Sequence, residues 1–134
     1  MTESTRTSKS ILLVDDEPFI LSATAQLLRN AGHSVHTCED WADVVHAIRV
    51  EEPDLILLDY NMPSLKGDEL CSILKRHATN PDLKIVMFSS EPEDVLREMV
   101  KTCGADGYIK KDMPRDGLLA RVEKALGLPG TTAM

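Results

Sequence analysis

The chain has 134 residues, of which 43% are hydrophobic and 28% charged, and its formal net charge at pH 7 is −7. This size predicts one domain with a full core and excludes two domains of ordinary size. The acidic balance argues against a nucleic-acid partner, which clustered Lys and Arg would favour, and no segment is apolar for long enough to predict a membrane span.

Polar segments flank the predicted domain, which covers residues 9–127. Residues 1–8 lack the apolar stretch of a signal peptide and predict a flexible N-terminal arm. Residues 128–134 follow Gly127 and predict a flexible C-terminal tail. Three cysteines without CxxC spacing are typical of reduced thiols, so we expect a cytoplasmic protein.

Short runs along the chain predict β-strands. The runs are Ile11–Val14, Ser34–Cys38, Leu55–Leu58, Ile85–Phe88 and Tyr108–Ile109. Most of them are continuously apolar, which is typical of strands buried on both faces of a parallel sheet. The second run alternates with polar residues, which favours a position nearer the edge of the sheet.

Residues at helical spacing separate these runs. The first predicted helix begins near Pro18, ends before Gly32 and buries one face. That face consists of Ile20, Ala23, Leu27, Leu28 and Ala31. Further helices are predicted over residues 40–50, around residues 70–74 with Leu70, Ile73 and Leu74 inward, over 91–102 and near 114–126. Strands alternating with helices predict a doubly wound, three-layer α/β domain.

Side chains suited to phosphoryl chemistry follow the strand-like runs. Asp15-Asp16 follows the first run, Asp59 the third, Ser89-Ser90 the fourth and Lys110-Lys111 the last. Ligands of such sheets bind outside the carboxyl ends of the strands, so we expect these side chains to meet. Each motif also has a purely structural interpretation, as a helix cap or a turn at a strand end.

Three clustered carboxylates repel one another unless a cation neutralises them. Mg²⁺ fits this set, because it prefers oxygen ligands and binds phosphate oxygens as well. No His or Cys is among the residues that directly follow the runs, which argues against zinc. A carboxylate beside Mg²⁺ can attack phosphorus and form an acyl phosphate, stabilised by an ammonium and a hydroxyl group.

Together, these motifs resemble the receiver domain of bacterial two-component response regulators, particularly the chemotaxis type. The resemblance covers Lys9 to Leu126 and rests on four motifs. They are Ile-Leu-Leu-Val-Asp-Asp-Glu-Pro at 11–18, Asp-Tyr-Asn-Met-Pro at 59–63 with Gly67, Phe-Ser-Ser at 88–90, and Gly-Ala-Asp-Gly-Tyr-Ile-Lys-Lys at 104–111. It implies a flavodoxin-like five-stranded parallel sheet of order 2-1-3-4-5 with five helices.

The resemblance also implies residue roles. Asp59 would be the phosphoacceptor, and Lys111 would pair with the phosphoryl group. Asp16 would bind Mg²⁺ directly and Asp15 largely through water, and the backbone carbonyl of Asn61 would complete the protein ligands together with Asp59. Mn²⁺ is an expected substitute for Mg²⁺.

Ser89 and Tyr108 resemble the switch hydroxyl and the switch aromatic of the family. Asn61 and Glu91 occupy positions that modulate hydrolysis of the acyl phosphate and imply rapid self-dephosphorylation. Asp112 departs from the family, which usually has a proline, often with a cis peptide bond, after the lysine. We expect this change to alter the loop geometry and to weaken the contact of Lys111 with the phosphoryl group.

The function implied is that of a stand-alone phosphorylation switch and not of an enzyme. A histidine kinase or phosphotransfer protein would donate the phosphoryl group, and the face formed by Glu91–Leu126 would bind a downstream protein or a second copy. The alternatives are a receiver excised from a hybrid kinase or larger regulator, a Mg²⁺-dependent aspartyl-phosphate phosphatase and a flavin-binding module. Asn61 disfavours the phosphatase, because an amide cannot act as a general acid. The four histidines are expected mostly at the surface, without a catalytic role.

Overall fold

The computed structural model describes residues 8–59 and 70–128. Its strands are β1 (Ser10–Val14), β2 (Ser34–Cys38), β3 (Leu55–Leu58), β4 (Lys84–Ser89) and β5 (Gly107–Lys110). Its helices are α1 (Pro18–Asn30), α2 (Val44–Glu51), α3 (Leu70–His77), α4 (Glu93–Cys103) and α5 (Arg115–Ala125), and a 3₁₀ turn precedes α2 at Trp41–Asp43. Asn61 and most of the two predicted flexible ends lie outside the described residues.

The strands form one parallel sheet in the order β2-β1-β3-β4-β5, which confirms the predicted fold class. β1 and β3 lie inside the sheet, and every residue of β3 is buried. β2 is an edge strand, as its polar alternation predicted, and exposes Ser34 and His36. Strands buried on both faces carry continuous apolar runs because helices cover each face.

Two hydrophobic clusters fill the space between the sheet and its helices. One face of the sheet packs against α2, α3 and α4, with Ile56 and Leu58 of β3 pointing into that cluster. The opposite face packs against α1 and α5, with Leu55 and Leu57 pointing the other way. The result is a three-layer domain whose strands all end at the same edge. None of the helices in the described ranges is both long and apolar enough to cross a membrane.

The buried face of α1 differs from the predicted one. Ala23 is exposed, whereas Leu21, Thr24 and Ala25 are buried together with the predicted Leu28. Both faces satisfy helical spacing, since small and apolar residues occur all around this helix. The contact with β1 and α5 selects the face that carries Leu21.

In α3, Leu74 is buried as predicted, but the prediction for Ile73 was wrong, because that side chain is 37% exposed. The side chain of Leu70 lies outside the described part of the chain.

Asp40 caps the 3₁₀ turn, where its Oδ1 accepts a hydrogen bond from the backbone N–H of Ala42 at 3.1 Å.

His33 is the exception to the expectation that the histidines lie mostly at the surface, since His36 and His46 are exposed. It is buried beside Glu123 of α5, with 3.0 Å between Nε2 and Oε2. Its Nδ1 accepts a hydrogen bond from the backbone N–H of Lys9 at 3.2 Å. The ring therefore ties α5 to the segment that precedes β1, at the opposite end of the sheet from the predicted site.

Candidate functional site

Backbone hydrogen bonds place three of the predicted site residues at the carboxyl edge of the sheet. Asp15 donates its N–H to the carbonyl of Cys38 at 3.1 Å, and Asp59 donates to Val14 at 2.9 Å. Lys111 donates to Ser89 in the same way at 2.9 Å. Each bond continues the parallel ladder by one residue beyond its strand. The side chains that follow β1, β3 and β5 therefore begin from one edge, as the sequence predicted.

The carboxylates of Asp15, Asp16 and Asp59 form a cluster there. Each offers one oxygen, and these oxygens lie within 4.8 Å of one another. Asp15 and Asp59 are buried, whereas Asp16 is exposed at the mouth of the cluster. The sequence prediction of a convergent acidic site thus agrees with the geometry.

Among the described ion pairs, the cation that faces this cluster is the ammonium group of Lys111. Its Nζ lies 2.7 Å from Oδ2 of Asp15 and 3.5 Å from Oδ2 of Asp59. Burial by itself would lower the pKa of Lys111, but the hydrogen bond to Asp15 and the charge of Asp59 outweigh it and raise that pKa. Lys111 is therefore a fixed positive charge beside Asp59 at neutral pH.

Glu17 also belongs to the site, although no sequence motif assigned it a role. Its Oε1 lies 3.2 Å from Nζ of Lys111, and its own N–H donates to Oδ1 of Asp15 at 3.0 Å. The signal available in the sequence was its position two residues after Asp15, in the turn that leads into α1. Its side chain remains 60% exposed, so it approaches Lys111 from the solvent side.

Ser89 is fully buried at the end of β4, and its Oγ accepts a hydrogen bond from the N–H of Glu91 at 3.2 Å. Tyr108 of β5 lies opposite Met87 of β4. Met87 and Ser89 point to the same face of the sheet, because alternate residues of a strand share a face. Tyr108 and Ser89 therefore lie on one face of neighbouring strands. Its hydroxyl group points to the surface and donates to Glu93 of α4. The predicted switch pair therefore occupies neighbouring strands next to the acidic cluster.

The carboxylate of Asp112 faces the ammonium group of Lys110. Oδ2 of Asp112 lies 3.9 Å from Nζ of Lys110, and its side chain is largely exposed. No cis peptide bond occurs in the described ranges, so the bond after Lys111 is trans. In this conformation Lys111 contacts Asp15 and Asp59, and the expected weakening of its contact with a phosphoryl group stays a prediction.

The donor set fits a divalent cation of the Mg²⁺ type. Three carboxylates face one another, and the ammonium group of Lys111 offsets only part of their charge. The group of possible ligands found among the described residues consists of carboxylates, without an imidazole or a thiol, and this favours Mg²⁺ over zinc. Asp16, the exposed member, leaves the cluster accessible from solvent.

Comparison with known proteins agrees with this geometry. The sequence model of one family, the response regulator receiver domain, matches residues 11–123. The phosphate regulon transcriptional regulatory protein PhoB of Pseudomonas aeruginosa is 37% identical over 91% of this chain and 53% of its own length. The DNA-binding response regulator MtrA of Mycolicibacterium smegmatis is 32% identical over 87% of this chain and 50% of its own length. The chain thus spans about half the length of these curated relatives.

A solved structure shares the architecture. The CheY-like response regulator receiver domain protein of Methanospirillum hungatei superposes with a TM-score of 0.77 at 28% identity, over 90% of this chain and 95% of that one. A second structure, the BeF3-activated receiver domain of DrrB, gives a TM-score of 0.74 at 26% identity, over 90% of this chain and 99% of that one. The sheet order and helix count described above are those of CheY-like folds.

Proposed function

Because the chain belongs to the response regulator receiver domain family, we propose that it is a phosphorylation switch whose phosphoacceptor is Asp59. The observation that carries this proposal is the convergence of Asp59, two further carboxylates and Lys111 at one edge of the sheet. A buried carboxylate beside a fixed ammonium group is suited to attack phosphorus. The donor we propose is a histidine kinase or a phosphotransfer protein.

In the proposed reaction, a carboxylate oxygen of Asp59 forms a bond to phosphorus while the bond from phosphorus to a donor histidine nitrogen breaks. The electron pair of the broken bond stays on the imidazole, and the product on the receiver is an acyl phosphate. Lys111, 3.5 Å from Asp59, contacts the added phosphoryl oxygens. Ser89 supplies a hydroxyl group from the neighbouring strand.

Asp15, Asp16, Asp59 and the backbone carbonyl of Asn61 would hold Mg²⁺ in this proposal, and Mn²⁺ is an expected substitute. When bound, the cation would neutralise the carboxylates and stabilise the charge on the phosphoryl oxygens. The acidic cluster supports this assignment. Asn61 lies outside the described residues, so its part rests on the family resemblance.

The proposed response is a change of surface. Ser89 moves toward the phosphoryl group, and Tyr108 turns into the space that this movement opens. The face of Glu91–Leu126, which includes α4, β5 and α5, then binds a downstream protein or a second copy. We assign no turnover of an external substrate to the chain, and we place the switch in the cytoplasm, where its three cysteines stay reduced.

The switch is expected to reset itself. Hydrolysis of an acyl phosphate needs a water molecule aligned with the phosphorus, and residues two positions beyond Asp59 and Ser89 adjoin that path in the family. These are Asn61 and Glu91. Glu91 is half-buried, and its backbone binds Ser89, which supports a location near the site.

Intact-mass spectrometry tests the central claim. With Mg²⁺ and acetyl phosphate, the wild-type chain should gain one phosphoryl group, and addition of a chelator should prevent this gain. Asp59→Asn should gain none, whereas Asp82→Asn, a change at an exposed acid before β4, should behave as wild type. Equal labelling of Asp59→Asn and the wild type would refute Asp59 as the phosphoacceptor.

A further inference from the structure

Tyr108 is attached to both helices that flank β5. Its Oη donates a hydrogen bond to Oε2 of Glu93 in α4, at 2.5 Å. Nη1 of Arg97, one helical turn later, lies 3.4 Å from the same oxygen. Nη2 of Arg121 in α5 donates to the backbone carbonyl of Tyr108 at 3.2 Å. The outward position of the phenol is thus defined by specific contacts.

Electrostatics strengthen the contact between Tyr108 and Glu93. The hydrogen bond from Tyr108, assisted by the charges of Arg97, Lys110 and Arg121, lowers the pKa of Glu93. The same hydrogen bond raises the pKa of Tyr108. Glu93 is therefore ionised and the phenol neutral at pH 7, which makes this a charge-assisted hydrogen bond.

The contact competes with the movement proposed for the switch. Tyr108 lies opposite Met87 in the β4–β5 register, and Ser89 is the next residue of β4 on the same face. For the phenol to turn toward Ser89, its hydrogen bond to Glu93 must break. The outward state thus has a stabilising contact that the inward state lacks.

We propose that Glu93 is a positioning residue that holds Tyr108 outward and thereby sets how readily the site accepts a phosphoryl group. The inference rests on the proposed function and assigns its regulation to a residue of α4. Since the phosphorylated state favours the inward phenol, the coupling is reciprocal: weakening the outward state must strengthen binding of a phosphoryl group or its mimic.

The hydrogen bond itself can be tested by absorbance titration of the phenol. In a Tyr60→Phe background, Tyr108 is the remaining tyrosine. Glu93→Ala should lower the pKa of Tyr108 toward its ordinary value, and Glu93→Gln should lower it less, since an amide still accepts an uncharged hydrogen bond. Glu98→Ala, a change at an exposed acid of the same helix whose ion-pair partner is Lys101, should leave it unchanged. A phenol pKa that is the same in Glu93→Ala and Glu98→Ala overturns the inference.

The coupling is tested with beryllofluoride, a non-covalent mimic of the phosphoryl group, by ¹⁹F NMR in the presence of Mg²⁺. We expect the apparent Kd to fall roughly two- to fivefold in Glu93→Ala, the range that an exposed hydrogen bond supports. Glu93→Gln should lie between Glu93→Ala and the wild type, and Glu98→Ala should match the wild type.

The possible outcomes separate the inference from the proposed function. If the wild type binds beryllofluoride and Glu93→Ala binds it equally well, Glu93 does not control the switch and the inference alone fails. If the wild type neither binds beryllofluoride nor gains a phosphoryl group from acetyl phosphate, the proposed function fails and the inference fails with it.

Discussion

Lys111 shows how one side chain can serve both the fold and the site. Its ammonium group lies within 3.5 Å of carboxylate oxygens from Asp15 and Asp59, which follow β1 and β3. Lys110, its neighbour in sequence, instead lies 3.9 Å from Asp112 at the surface. Two adjacent lysines thus have different tasks, because successive side chains of an extended chain point in opposite directions.

This difference predicts unequal effects of neutralising the two lysines. Lys111→Gln should slow phosphorylation by acetyl phosphate by about 10- to 100-fold. This reduction in rate is no larger than the one usually caused by removing a single hydrogen-bond donor to the transition state. Lys110→Gln should change the rate by less than about twofold, the effect of an exposed ion pair. Rates measured by intact mass at saturating Mg²⁺ check this prediction. Equal losses in both variants would contradict the assignment of Lys111.

Cys38 provides a prediction about pH. Burial at the end of β2, with a smaller effect from the charges of Asp43 and Glu51, raises the pKa of its thiol to about 11. The folded state therefore keeps this proton to higher pH than the unfolded state. The resulting stability is fully present below the ordinary pKa of 9.0 and is lost as pH rises toward 11.

The same shift of the Cys38 pKa should suppress alkylation. In a Cys71→Ala, Cys103→Ala background, the thiolate fraction of Cys38 at pH 8 should be roughly 100-fold below that of an unperturbed thiol. Reaction with iodoacetamide should slow accordingly in the folded protein and recover in urea. Alkylation of the native protein at the rate of the urea-unfolded protein would show that the thiol is not buried.

At the scale of single elements, α2 shows how burial rather than residue type decides stability. Ile48 is fully buried against the sheet, whereas Val50, two residues later, is 59% exposed. Ile48→Ala should lower the free energy of unfolding by about 2–5 kcal/mol through lost burial and a residual cavity. Val50→Ala should be neutral or slightly stabilising, since alanine is the better helix former. Urea denaturation measures both, and a comparable loss in the two variants would contradict this orientation of α2.

The elements also show which features the sequence could predict. The parallel sheet and the convergence of Asp15, Asp59 and a lysine follow from apolar runs and from the rule that parallel strands end at one edge. The strand order and the choice of Lys111 over Lys110 rest on the family resemblance. The burial of His33 depends on Glu123, 90 residues away in sequence. Local spacing carries no information about such a contact.

Side-chain direction on exposed elements was equally inaccessible. Glu17 contacts Lys111 through a particular conformation of an exposed side chain, which neither spacing nor composition specifies. Tyr108 was predicted as the switch aromatic by resemblance, but no sequence motif indicates its hydrogen bond to Glu93, which joins β5 to α4. Positions that backbone hydrogen bonds of the sheet determine were predictable from the sequence. Contacts that depend on the rotamer of an exposed side chain were not.

At the scale of the whole molecule, the acidic site links metal binding to folding. In the absence of a cation, the carboxylates of Asp15, Asp16 and Asp59 repel one another within 4.8 Å, and Lys111 offsets only part of that charge. A cation that binds the folded state but not the unfolded chain stabilises the fold by mass action. The carboxylates that would hold the cation therefore also destabilise the metal-free domain.

Two consequences can be measured together by urea denaturation. Mg²⁺ at ten times its Kd should raise the free energy of unfolding of the wild type by about 1.4 kcal/mol, and a chelator should reverse the gain. Asp16→Asn should abolish most of this gain and yet stabilise the metal-free protein, because it removes one of three repelling charges. Asp82→Asn, at an acid outside the cluster, should retain the full response to Mg²⁺. If Asp16→Asn responds to Mg²⁺ as the wild type does, the cation does not bind at the carboxyl edge of the sheet.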